Sequence, residues 1–112
     1  MKQQKEKQLP LADTLPSFAK ELELLLTQKG GFHLAAQVPG LHILERCRCG
    51  DDFCAMFYVQ PKPTESYGPN HRCVPLEPEE EMLILDIVDE VIASVEILDR
   101  GDIRQTLLSV LP

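Results

Sequence analysis

Two apolar, β-branched runs, Met82 to Val88 and Val91 to Leu98, flank the polar pair Asp89-Glu90. Valine and isoleucine suit a pleated, half-buried surface, and two polar residues between such runs match a tight hairpin turn. A β-hairpin is therefore the firmest expectation in the chain. It also constrains everything else, because an isolated two-stranded hairpin is marginal in water and needs further strands or a helix against it. The 112 residues are enough for one domain and short of two independent cores. With 44% hydrophobic and 26% charged residues, collagen-like, wholly disordered and membrane-spanning chains are excluded.

A two-residue turn and strict alternation would put Met82, Ile84, Asp86 and Val88 on one face with Val91, Ala93, Val95 and Ile97. Asp86 is then the only polar residue on an apolar surface. A buried carboxylate needs an arginine or backbone donor. A register shift or a bulge that turns it to solvent is the simpler expectation. Glu90 occupies a turn position where such hairpins commonly carry glycine.

Upstream, residues 1–12 are polar and Gln/Lys-rich, and read as a disordered lead. Asp13-Thr14 reads as a helix cap, with Pro16 in the first turn. Leu15, Phe18, Ala19, Leu22, Leu25 and Leu26 then recur at helical spacing, and Gly30-Gly31 ends the helix. Phe32 to Gln37 suits a strand or a helical turn. Leu41 to Arg48 and Phe53 to Val59 read as strands joined at Gly50-Asp51-Asp52, and a short strand fits Arg72 to Leu76. Asp99 to Asp102 opens a last helix whose stripe is Ile103, Leu107, Leu108 and Leu111. The expected fold is a single α+β domain over residues 13–112: an N-terminal amphipathic helix, an antiparallel sheet of four or five strands and a short C-terminal helix.

Chemistry concentrates in Cys47-Arg-Cys49-Gly-Asp-Asp-Phe-Cys54. If Asp51-Asp52 is a tight turn, Cys49 and Cys54 are cross-strand neighbours with Cβ atoms about 4.5–5.5 Å apart. Cys47 shares their face. Three thiols then converge, and a closed zinc site asks for a fourth ligand. Cys73 is the expected fourth, with His71 as its alternative; His42 falls on the opposite face from Cys47. The plain alternative is cysteine as a small buried apolar residue. Arg46 and Arg48 would lower a neighbouring thiol pKa while Asp51 and Asp52 raise it, and no Cys-x-x-Cys opens a helix, so redox or nucleophilic use is disfavoured.

The pattern Cys-x-Cys-x4-Cys resembles the zinc-binding tail that follows SET methyltransferase domains. That resemblance covers eight residues, and implies a ligand geometry without the enzyme, whose core this chain has no room for. Residues 41–104 are also similar to small uncharacterised bacterial proteins that join a Cys-Gly-containing strand to a hairpin reading Val/Ile-Glu-Ile/Val-Leu, here Val95-Glu96-Ile97-Leu98. This implies a bacterial cytosolic origin and an α+β fold, and supplies no catalytic residue.

Residues 77–112 hold only Arg100 and Arg104 against ten carboxylates, so the whole formal charge of −7 resides there. Such an end disfavours nucleic acid. It solvates the protein or steers a basic protein partner. The start lacks the apolar segment of a secretory signal, and no run is long enough to span a membrane, so a cytoplasmic protein with reduced thiols is expected. No phosphate-cradling loop, His-Glu-x-x-His or serine elbow is present. The function expected is therefore a small non-enzymatic interaction or regulatory protein, of accessory or immunity-like type. A zinc module on Cys47, Cys49 and Cys54 is the first alternative. A small-molecule binder using the Tyr67-Gly-Pro-Asn-His71 loop is the second. Sequence leaves monomer and homodimer equally open.

Overall fold

The computed structural model describes residues 9–64, 67–76 and 82–112 of the chain. The helical elements are α1 (Leu11–Thr14), α2 (Pro16–Gln28), α3 (Phe32–Ala35), a 3₁₀ turn (Val38–Gly40) and, at the other end, α4 (Gly101–Val110). Between them lie β1 (Glu45–Arg46), β2 (Phe57–Tyr58), β3 (His71–Pro75), β4 (Met82–Val88) and β5 (Val91–Leu98). The strands form one antiparallel sheet in the order β1-β2-β5-β4-β3. This is the expected α+β architecture, and no helix among the described residues is long and apolar enough to cross a membrane.

The apolar stripe of α2 buries Phe18, Ala19, Leu22 and Leu26. Phe18 meets Phe57 of β2 edge-on, with ring centroids 6.3 Å apart, so helix and sheet share one core. Gly30 ends α2 at φ +81°, the left-handed region open to glycine. Packing starts before residue 13. Leu9 and Leu11 are buried, and their backbones are bonded to Ile43 and Leu41, each at 2.8 Å. Two leucines at alternate positions dock residues 9–12 of the polar lead, while residues 1–8, the rest of the stretch expected to be disordered, lie outside the described residues. Asp13-Thr14 belongs to α1 and makes no side-chain cap; α4 likewise begins with Arg100 at its cap position in place of Asp99. Phe32 to Gln37 takes the helical alternative.

The β4–β5 turn has two residues, since Val88 pairs with Val91. Asp89 and Glu90 are both left-handed, at φ 53° and 64°, the signature of a type I′ turn. Neighbouring side chains hold these non-glycine residues. The Arg72 guanidinium donates to Glu90 through Nε at 3.0 Å and Nη2 at 2.8 Å, and His33 Nε2 lies 3.0 Å from Glu90 Oε1. Gln37 donates to the Glu90 carbonyl and accepts from the Ile92 N–H, both at 2.9 Å. Arg72, and then His33, hold the Glu90 carboxyl down at about 2.

One extra residue governs the rest of the hairpin. Asp86 pairs with Ser94 but Ile87 pairs with Ile92, which leaves Ala93 as a bulge. From Ser94 onward β5 is rotated by one position. Leu83, Leu85, Ile87, Ile92, Val95 and Ile97 therefore line the core. Alternation places Asp86 with Ser94 and Glu96 on the opposite face. The expected set of Asp86 with Ala93, Val95 and Ile97 is not formed.

Strands β1 and β2 are shorter than the runs 41–48 and 53–59 read from sequence. Only Glu45↔Tyr58 and Arg46↔Phe57 form their ladder, and Cys54 joins β5 by a single bridge to Leu98.

Candidate functional site

The β1–β2 register has a direct chemical result. Continued outward through the Cys47 N–H to Met56 carbonyl bond of 2.9 Å, it sets Cys49 opposite Cys54. The connection turns at Gly50 (φ 84°). Asp51 stabilises it, its carboxylate accepting from the Phe53 N–H at 2.9 Å and its carbonyl from the Cys54 N–H at 3.1 Å. The sulfurs of Cys47, Cys49 and Cys54 consequently lie within 4.8 Å of one another. All three are free thiols. They line a small pocket of about 30 Å³ whose far wall is Arg104, Leu107 and Leu108 of α4.

The three thiols are electrostatically unequal. The Asp51 backbone N–H, helped by hydrogen bonds from Cys47 and Cys54, lowers the exposed Cys49 thiol. Burial pushes Cys54 up to about 11. The arginines expected to lower these thiols are occupied elsewhere. Arg46 donates to the Leu111 carbonyl and Arg48 to the Pro112 carbonyl, so both guanidiniums fasten the strand to the end of α4.

The expected fourth ligand does not arrive. Cys73 and His71 lie on β3, at the opposite edge of the sheet. Three strand spacings of about 4.8 Å separate β3 from β2. Among the described residues no other Cys, His or carboxylate completes the three-sulfur group. His42 bridges to Pro10 in the N-terminal segment. The residues Glu79, Glu80 and Glu81, which supply much of the acidic end, lie outside the described residues.

Cys73 and His71 belong instead to a second group. Cys73 pairs directly with Asp86 across β3–β4, and His71 is on the same face two residues earlier. Asp86 retains only 2% of its surface, yet it is fully partnered. Its Oδ1 lies 2.8 Å from His71 Nε2 and accepts from the Cys73 thiol at 3.4 Å. Its Oδ2 accepts from Ser94 Oγ at 2.8 Å, and Ser94 in turn accepts from the Tyr67 hydroxyl at 2.9 Å. The Tyr67 and His71 rings touch, with centroids 4.7 Å apart. The bulge acts on β5 and not on β4: it brings Ser94 to the face that Asp86 already occupies, off the core, so the carboxylate meets this network and not solvent.

Glu96 stands beside Asp86 and changes the proton balance of the pair. Burial raises the Asp86 carboxyl, but hydrogen bonds from Glu96, His71, Ser94 and Cys73 outweigh it and leave Asp86 below the ordinary range. The same contact with Asp86, followed by burial, lifts Glu96 to about 7. One proton is thus shared unequally between two carboxylates. Burial, then the hydrogen bond and charge of Asp86, raises the Cys73 thiol as well. An open cleft of about 310 Å³ covers the pair, walled by Met56, Tyr58, Lys62, Pro63, Tyr67 and His71.

Sequence reasoning reached Asp86, His71, Cys73 and the Tyr67 loop separately, and missed Ser94, Glu96, Tyr58 and Lys62. Val91, Ala93, Val95 and Ile97 alternate without a break, so the residues of β5 gave no sign of the bulge that brings Ser94 and Glu96 to this face; the one visible oddity was Asp86 itself. No family model, curated protein or solved structure matches the chain.

Proposed function

We propose that this chain is a small non-enzymatic accessory protein that binds a thiophilic metal ion, zinc in the first instance, through Cys47, Cys49 and Cys54. The convergence of three sulfurs within 4.8 Å carries this reading. Thiolate donors select zinc and other soft ions, and zinc–sulfur bonds of about 2.3 Å put neighbouring sulfurs about 3.8 Å apart in a tetrahedron. The ladder beneath the thiols has only two residue pairs, so ligation would tie together a hairpin that backbone bonds hold weakly. Three protein ligands leave the fourth position for water, a small ligand or a donor from a partner protein. That open position is what connects metal binding to a regulatory role.

The test is metal stoichiometry on protein purified without chelator, with Cys49→Ser and Cys54→Ser beside the wild type. Each substitution should lower bound zinc by one equivalent per chain. It should also remove most of the thiolate-to-cobalt absorption when cobalt(II) is substituted. Undiminished zinc in both variants refutes the proposal.

A further inference from the structure

We infer that His71 Nε2, Cys73 Sγ and Asp86 Oδ1 form a second, separate site for a zinc-class divalent cation, with its open position facing the cleft walled by Tyr58, Lys62, Tyr67 and Glu96. The three atoms are spaced as ligands of one ion. They lie 2.8 Å (His71–Asp86), 3.4 Å (Cys73–Asp86) and 3.8 Å (Cys73–His71) apart. A tetrahedral ion with bonds of about 2.0–2.3 Å needs about 3.3 Å between nitrogen and oxygen, and about 3.6 Å for pairs that include sulfur. A cation would enter by separating His71 from Asp86 by a few tenths of an ångström.

The chain builds this spacing on its most regular pairing. His71 and Cys73 alternate along β3, and Cys73 faces Asp86 in register. The supporting groups also match a metal centre. Ligand carboxylates are commonly oriented by a hydrogen bond to the oxygen turned away from the ion. Here Ser94 holds Asp86 Oδ2, and Tyr67 holds Ser94. The Ala93 bulge is what brings Ser94 to this face. Bulges are frequent beside active sites for that reason. A cation would also balance a carboxylate almost removed from water, which is costly to bury unless paired. His71 and Cys73 remain open enough to be reached, being half-buried and exposed respectively.

This site is independent of the three-sulfur group and can be tested without it. In a Cys47→Ser/Cys49→Ser/Cys54→Ser background, Cys73 is the only cysteine left. Cobalt(II) added to that protein should bind at one equivalent and give a single-thiolate charge-transfer band. His71→Ala or Cys73→Ser in the same background should abolish the band. Absence of cobalt binding by the folded triple variant overturns the inference, as does binding that survives both further substitutions. If the triple variant does not fold, Cys73→Ser in the otherwise native chain decides. A loss of one metal equivalent supports the site, and an unchanged stoichiometry removes it, whatever the three-sulfur group does.

Discussion

Replacing Glu96 by glutamine should make the metal-free protein more stable at alkaline pH and leave it nearly unchanged near pH 4.5. The folded carboxyl keeps its proton up to about 7, against an ordinary 4.5. Between those values the folded state binds a proton that the unfolded chain has released, so wild-type stability falls as pH rises through the window and levels off above it. At about 1.4 kcal/mol per pH unit the interval sets a ceiling of roughly 3 kcal/mol. Glu96 is only half-buried, and solvent screening brings the expected loss down to about 1–2 kcal/mol. Glutamine keeps an N–H donor toward Asp86 at every pH and carries no charge to repel it. Urea unfolding of both proteins at pH 5, 7 and 8.5, with chelator present, reads the difference directly. The variant should gain about 1–2 kcal/mol over wild type at pH 8.5. Parallel pH profiles for the two proteins would refute the shared-proton account of Asp86 and Glu96.

Two further expectations concern the scaffold. At Glu90, alanine loses the Arg72 and His33 contacts and keeps an unfavourable φ of 64°, whereas glycine loses the contacts but relieves the backbone. Thermal melts should therefore rank wild type and Glu90→Gly above Glu90→Ala, and an alanine variant that outlasts the glycine one contradicts the turn geometry. Phe57 is wholly buried against Phe18; Phe57→Ala should cost about 3–5 kcal/mol in denaturant unfolding, and a loss below about 1 kcal/mol would mean that the helix does not pack there.

What was legible in the sequence was local. The α2 stripe, the two-residue β4–β5 turn and the Cys49–Cys54 juxtaposition each depend on residues a few positions apart, where periodicity and turn length decide geometry. The Ala93 bulge was not legible in a reading that assumed constant alternation, and that single slip moved Ser94 and Glu96 to the unexpected face. Strand order was hidden for a different reason. Nothing in the residues near Cys73 says that β3 lies at the far edge from β2, so proximity in sequence to the cysteine cluster stood in for proximity in space. Asp86 shows the reverse. Its oddness on an apolar run was visible at once, and that oddness marked the network it anchors.

The strand order 1-2-5-4-3 also has a consequence in time. Phe57 and Tyr58 pair with Val95 and Ser94, so the first half of the chain has no sheet to close against until the penultimate element has been synthesised. The cysteine hairpin is drawn from contiguous residues and can approach its final shape on a nascent chain. The α2 stripe packs on Phe57 of β2, and that strand has no sheet neighbour on its inner side until β5, more than sixty residues beyond the end of α2, is made. Such non-local closure slows folding and prolongs exposure of apolar surface. Early capture of a metal by the local hairpin would then come before the core and not after it.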